Sequence, residues 1–383
     1  MSLAIRRHER SGLTVLERLQ RIQWLFVVLL ITLAGIGAVE LYSVAGGQMD
    51  PWARAHIWRF LFALGLFLLV AMVDIRMWMA AAIPIYVVTL ASLVLVQVAG
   101  ATYGGATRWL TFGSLNVQPS EIMKIALVLA LARVYQSFEA GKASHPKYLV
   151  LPLAMIAVPA GIVALQPDLG TAVLLLISGL GVMALAGVHW LYFVGAGLAA
   201  AAAAPLAWNA LHAYQKSRVL TFLDPERDPL GAGYHIIQSK IALGSGGAFG
   251  RGFGKGTQSH LNFVPEKHTD FIFTMFGEEF GMAGGVLVLV LFAGVIVLGL
   301  KMSAGVENRF GRLVASGVIM TLFAFVFVNI AMVTGLLPVV GVPLPLISYG
   351  GTVMLAMMFG LGLLMSAHVH RRINMPRPLA RPK

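Results

Sequence analysis

HTDFIFTMFGEEFGMAGGVLVLVLFAGVIVLGLK, residues 268–301, opens on a histidine, a threonine and an aspartate and is apolar in the main from 271 to 300. A stretch of about 18 or more mostly apolar residues reads as a membrane-crossing helix, because in hydrocarbon only a helix satisfies every backbone group within one segment. Similar runs recur near 23–45, 57–75, 79–99, 120–137, 148–166, 170–188, 190–210, 311–337 and 346–367. The expectation is an all-α polytopic integral membrane protein with about ten transmembrane helices and one large extracytoplasmic loop, 211–270, between helices seven and eight. Only Val188, His189 and Trp190 mark a turn within 170–210, so the count is weakest there.

Composition agrees. Of 383 residues, 58% are hydrophobic and 11% charged, and mean hydropathy is +0.82; soluble domains carry about a quarter charged residues. The absence of cysteine excludes disulfides, thiolate chemistry and cysteine-ligated zinc. Lys and Arg outnumber Asp and Glu by 28 to 16, a formal charge of +12. In a membrane chain this excess points to anionic lipid and positive-inside topology, with no nucleic-acid partner.

Arg6, Arg7, Arg10, Arg18 and Arg21 precede the first apolar run, and Arg371, Arg372, Arg377, Arg381 and Lys383 follow the last. We therefore expect a basic cytoplasmic arm (1–22), a single membrane domain (23–370) and a basic cytoplasmic tail (371–383), with a signal-anchor first helix and no cleavable signal peptide. The short connections 138–147 and 301–310 fall on the cytoplasmic side. The 211–270 loop faces outward although it holds seven Lys or Arg, because the positive-inside rule acts mainly on short loops. A second outward segment is YGGATRWLTFGSLNVQPSE (103–121), and the turns LQPDLG (165–170) and LPVVGVPLPLISYGG (337–351) face the same way.

The polar residues of these outward segments form the candidate site. Asp270 stands where the chain enters an apolar run. Thr269 or Asp270 is expected to cap that helix, and a carboxylate at a helix N-terminus is also held as the anion a base requires. His268 is the alternative base; Glu266 and Lys267 read as solvated flank. Glu121 and Lys124 lie three apart on one helical face, where mutual pairing is the economical reading for charges in hydrocarbon. Arg108, beside Trp109, suits either a phosphate clamp or an interfacial anchor. Asp168 in QPDLG fits turn chemistry. GSGGAFGRGFGKGTQSH (244–260) is not a phosphate loop, because Phe249 and Gly256 break that pattern. It reads either as a flexible loop or as backbone that closely approaches a phosphate or sugar. Asp224, Glu226 and Asp228 in FLDPERDPLGAGYH read as loop architecture. A short surface helix is expected over 234–243, with Lys240 on it.

Taken together and in order, GATRWL, QPSEIMKIALVLALAR, QPDLGTA, FLDPERDPLGAGYHIIQSKIALGSGG, GTQSHLNFVPEKHTDFIF, GEEFG and LPVVGVPLPLISYGG resemble the SEDS family of bacterial cell-wall glycosyltransferases, over residues 20 to 370. GYHIIQSK and LPVVGVPLPLISYGG favour its elongation branch over its division branch. The resemblance implies polymerisation of lipid II into glycan strands with inversion at the reacting carbon. It further implies Asp270 as general base, with Arg108, Glu121, Lys124, Asp168, Lys240, His268 and Thr269 supporting or binding substrate. The implied partners are a class B penicillin-binding protein that crosslinks the product, the nascent glycan strand, and other membrane proteins of the elongation complex. A divalent cation, Mg or Mn, is compatible, although no motif spells a metal site. Transport of the lipid precursor and a non-catalytic scaffold are the competing readings; polar residues gathered on one face speak against alternating access, which needs gates on both sides.

Overall fold

The computed structural model describes residues 14–373 and 375, apart from 104–105, 113–114, 140, 211–212, 228–231 and 258–265. Arg6, Arg7 and Arg10 of the basic arm, Arg377, Arg381 and Lys383 of the tail, Asp228, and the QSHLNFVP portion of the 256–273 motif lie outside the described residues. The helices are α1 Val15–Gln20, α2 Trp24–Val44, α3 Ala53–Met72, α4 Ile75–Ala99, α5 Pro119–Ser137, α6 Pro146–Leu165, α7 Leu169–Leu185, α8 Trp190–Ala210, α9 Ala213–Leu223, α10 Ala232–Ser245, α11 Ile272–Ala304, α12 Arg309–Val333 and α13 Gly351–Val369. Apolar side chains such as Val28, Phe62, Val98 and Val290 are exposed on the outer helices, where a soluble protein would carry charge. They supply the surface that lipid covers.

The expected span count is corrected. Among the described residues seven helices, not about ten, are long and apolar enough to cross a membrane: α2, α3, α4, α6, α11, α12 and α13. The segment expected at 120–137 is helix α5, but Glu121, Lys124 and Arg133 lower its apolar character. Protein encloses most of it, which is why the charges are tolerated. Helix α7 has only 17 residues, and the apolar described part of α8 ends at Ala203. Apolar runs therefore located these helices, while their environment, protein or lipid, decided which qualify as spans.

Helices α12 and α13 are the most enclosed of the seven. Around them α5 packs against α4, α7 and α12, and α13 packs along α3. Both described chain ends lie at one end of this bundle. Arg18 of α1 donates to the carbonyl of Met72, Arg21 to that of Val369 at 3.3 Å, and the Glu307 amide to Arg371 O at 3.0 Å.

The opposite end is built differently. Between α4 and α5 three antiparallel strands, β1 Ala101–Tyr103, β2 Ala106–Phe112 and β3 Leu115–Val117, make a small sheet in the order β1-β2-β3. The helix expected over 234–243 is the longer α10, which packs on α11 and α12. Its buried Ser239 bonds Thr274 Oγ1 at 2.8 Å and Val333 O at 2.7 Å.

The glycine-rich stretch after α10 is a strap laid on a break in α11. Gly281 leaves the helical region (φ 67°), and the amides of Met282 and Ala283 turn to the carbonyls of Gly247 and Ala248 at 2.9 and 3.0 Å. In return, Arg251 N and Gly252 N donate to the carbonyls of Glu278 and Glu279, each at 3.0 Å. A Cβ at Gly246, Gly250 or Gly281 would collide with the backbone of the facing segment, so glycine at these positions is what lets the two chains lie together. The Glu278 carboxylate accepts from Thr257 N and Oγ1 at 2.9 Å, and the Glu279 carboxylate from Gly254 N at 3.1 Å and Ser43 Oγ at 2.5 Å. At Gly250 (φ 83°) a Cβ would collide with the Glu279 carbonyl. Gly250→Ala is expected to cost about 1–3 kcal/mol or more, adding the clash to the left-handed strain, and to be read as a lower melting temperature in detergent. An unchanged melting temperature would mean that the strap is not held as described.

Candidate active site

Strand β2 presents Arg108, and the α6–α7 turn supplies its acceptors. The guanidinium donates to Gln166 O at 3.2 Å and to Pro167 O, and its Nη1 stands 3.8 Å from Asp168 Oδ2. Asp168 caps α7 by accepting from Thr171 N at 3.2 Å, the turn role expected of it, and also accepts from Gln118 Nε2 at 3.3 Å. Both oxygens of a nearly buried carboxylate thus have donors. Strand, turn and the start of α5 are locked into one surface.

One turn further along α5, Lys124 Nζ meets Glu121 Oε1 at 2.8 Å, with both side chains almost wholly buried. The ammonium also lies 4.3 Å from the centroid of the Phe325 ring. Together the two contacts satisfy a charge that the surrounding apolar bundle could not.

Asp270 sits just before α11. Neither Asp270 nor Thr269 caps that helix, contrary to expectation: the helix starts at Ile272, its N-cap position is Phe271, and no side chain bonds its first amides. A tight turn from Glu266 is the cause. The amides of Thr269 and Phe271 donate to Glu266 O at 3.2 and 3.3 Å, and Thr269 Oγ1 donates to Glu266 Oε2 at 2.8 Å. The carboxylate of Asp270 is left without capping duty. Its backbone is fixed from α12, where Asn329 donates to Asp270 O at 2.8 Å and to Val342 O at 2.6 Å. Ser348 donates to Thr269 O at 2.6 Å, and the Tyr349 amide to His268 O at 2.9 Å, so the 337–350 turn is stitched along the same segment. The His268 ring stacks on Trp52 at 4.5 Å and leans on Tyr349, over which Arg59 lies at 4.4 Å.

Burial raises the pKa of Asp270 to about 7; the negative charges of Glu266 and Asp168 push the same way, and Arg218 and Arg108 oppose them. The aspartate is thus poised to exchange a proton near neutrality, with cations within electrostatic reach. Burial lowers the pKa of His268, making its ring a neutral wall. Lys267, expected as solvated flank, is buried, and Glu266 beside it is exposed but acts on Asp270 through its charge.

Of the expected residues, the structure gathers Arg108, Asp168, His268, Thr269 and Asp270 at one end of the bundle and sets the Glu121–Lys124 pair beneath Gln118. Lys240 stands apart, exposed on α10 with its side chain against Gly335. Sequence reasoning missed Arg218, Gln118, Asn329, Ser348 and Trp52. Asn329 alone left a signal: it is an amide within an apolar run, and such residues tend to be functional or paired. Among the described residues no group of three or more His, Asp or Glu side chains is placed to hold a metal ion.

Residues 19–373 match the cell cycle protein family FtsW/RodA/SpoVE. The chain is 44% identical over 350 residues to the peptidoglycan glycosyltransferase MrdB of Escherichia coli K12, covering 91% of this chain and 93% of that one. It is 32% identical over 340 residues to the stage V sporulation protein E of Bacillus subtilis, covering 88% and 86%. Among solved structures, one described as showing structural coordination of polymerization and crosslinking by a peptidoglycan synthase complex aligns with a TM-score of 0.78 at 34% identity, over 92% of this chain and 99% of that one. The crystal structure of the Thermus thermophilus rod shape determining protein RodA aligns at 0.67 and 29% identity, over 92% and 98%. An aspartate at the head of α11, a clamped arginine and a buried carboxylate–ammonium pair are therefore carried on a chain that belongs to the FtsW/RodA/SpoVE family of multi-pass inner-membrane proteins.

Proposed function

We propose that Asp270 is the general base of this chain's glycan polymerisation. The protein is a peptidoglycan glycosyltransferase that polymerises lipid II. In each cycle the 4-hydroxyl of an incoming lipid-linked disaccharide attacks the anomeric carbon at the lipid-linked end of the growing strand; the new C–O bond forms as the bond to pyrophosphate breaks, inverting that carbon. The hydroxyl proton passes to the Asp270 carboxylate, and the lipid pyrophosphate departs as an anion. A leaving group so acidic needs charge stabilisation rather than a proton, so one carboxylate suffices where a glycosidase uses two. Arg108 and Arg218 are the cations placed for that task. Lys124, committed to Glu121 and enclosed by protein, supports the floor of the site instead. EDTA treatment followed by restoration of Mg or Mn reads whether a divalent ion contributes.

The observation that carries this reading is a carboxyl group that caps no helix, with a pKa raised by burial to about 7 and with Arg218 and Arg108 within electrostatic reach. A base must be ionised to act, so kcat/KM should rise with pH and level off above about 7. Glu266→Gln removes a charge that raises the Asp270 pKa while keeping an acceptor for Thr269, and so should move the acid limb to lower pH. If the limb stays in place in that variant, another group sets it. The competing transport reading predicts movement of lipid II across vesicles by a purified protein that makes no glycan.

The partner this reading implies is a class B penicillin-binding protein within the elongation complex, consistent with the polymerising and crosslinking assembly to which the chain is similar. We place the active face outside the cytoplasmic membrane and both termini inside. Support comes from the shared location of α1 and the end of α13, with Arg18, Arg21, Lys301, Arg309, Arg371 and Arg372 at that end of the bundle. Cysteines introduced at 255 and 305 in this cysteine-free chain should label from outside and inside respectively; the reverse pattern would invert the assignment.

A further inference from the structure

At the end of the bundle that holds both termini, a cleft of about 300 Å³ opens between the last turns of α7 and α11 and the first turns of α12. Leu185, Leu300 and Leu313 form its apolar wall, and Arg309 and Arg312 supply its charge. The two arginines are near enough for the charge of Arg312 to act on Arg309. They also occupy the first turn of α12, which contains no acidic residue, where the helix dipole adds further positive potential. Arg309 has a structural duty: its guanidinium caps the ends of α5 and α7 through Phe138 O at 2.9 Å and Ala186 O at 3.2 Å. Arg312 has no such duty. Its side chain is exposed, and it makes no ion pair among the described residues; nor does the neighbouring Glu307. The hydroxyls of Ser303 and Ser316 turn to the Arg312 carbonyl, at 3.0 and 2.6 Å, and leave its guanidinium unengaged.

Two like charges at the positive end of a helix repel each other unless an anion joins them. Leucines beside them, at the rim of a lipid-facing bundle, suit acyl chain and not water. We propose that this cleft binds one anionic phospholipid of the leaflet at that end, its phosphate on the Arg312 guanidinium beside Arg309 and an acyl chain along Leu185, Leu300 and Leu313. A forked guanidinium fits a phosphodiester in two-point contact, and basic clefts between helices at the cytoplasmic rim are a recurrent way to hold acidic headgroups.

The test uses the whole purified protein, delipidated in a neutral detergent and titrated with phosphatidylglycerol or phosphatidylcholine. Melting temperature and lipid adducts in native mass spectrometry are the readouts. Phosphatidylglycerol should raise the melting temperature and leave a one-lipid adduct, and phosphatidylcholine should do neither. Arg312→Gln should melt like wild type without lipid and bind phosphatidylglycerol about five- to tenfold more weakly. Arg312→Lys, which keeps the charge but loses the fork, should fall between them and serves if the glutamine variant folds poorly. Arg372→Gln, at an exposed position of the same end, should bind as wild type does. The proposal is overturned if Arg312→Gln keeps the full response, if phosphatidylcholine matches phosphatidylglycerol, if Arg372→Gln weakens binding equally, or if glycerol 3-phosphate alone reproduces the shift.

Discussion

Asp270→Asn is expected to lose glycan polymerisation by about 10²–10⁴-fold, the contribution of a positioned general base, and yet to melt at a higher temperature than wild type at pH 8. Both effects follow from one cause. The fold lifts the Asp270 pKa from 3.8 to about 7, chiefly by burial, which disfavours the carboxylate the reaction needs. The folded group binds its proton more tightly than the unfolded one. Stability from this residue is therefore fully present below about pH 4, falls as pH rises toward 7, and stays low above that. Asparagine is neutral throughout and escapes the loss. Plotted against pH, the gap in melting temperature between variant and wild type should open between pH 4 and 7 and then remain constant. An inactive variant without that gap would show that the carboxylate is not strained by its site; a fully active variant would remove Asp270 from the mechanism.

The second large effect lies in the floor of the site. Replacing Glu121 or Lys124 alone with alanine leaves the other charge enclosed without a counter-ion, at a cost of about 3–5 kcal/mol. That is a large share of the roughly 5–15 kcal/mol that holds a typical domain together, so each single variant should show poor yield of folded protein. The exchanged pair, Glu121→Lys with Lys124→Glu, restores neutrality at the same spacing and should recover part of the loss. Recovery should stay incomplete, because a carboxylate at 124 would face the Phe325 ring now contacted by the ammonium. Size-exclusion profiles and melting temperatures of the two singles and the double give the coupling directly. Additive losses would mean that the 2.8 Å contact does not hold the two side chains together.

The positions of the helices were legible in the sequence because apolar length alone specifies a helix in lipid. Their number as spans was not, since Glu121, Lys124 and Arg133 are tolerable only where neighbouring helices enclose α5, a three-dimensional fact. The Glu121–Lys124 contact could be read from its spacing, and Asp168 from its turn. The cap at 269–270 was misread because local pattern favours Thr or Asp at a helix start, whereas the turn from Glu266 moves the start to Ile272. Glycines 246 to 256 suggested freedom or ligand approach, and they serve close contact with the broken α11 instead. Arg218 and Ser348 left no local trace: each acts across space on a segment distant in the chain.

Asn329 has a consequence for motion. One amide group, surrounded by apolar residues, holds the carbonyl of Asp270 with one hydrogen and that of Val342 with the other. Because Asn329 is fully buried, breaking either bond would leave a polar group unsatisfied, so the aspartate and the 337–350 turn do not slide past each other cheaply. Any force that a bound protein or an advancing polymer applies to that turn is delivered to Asp270, the proposed base, as displacement, which would make the turn a throttle for turnover.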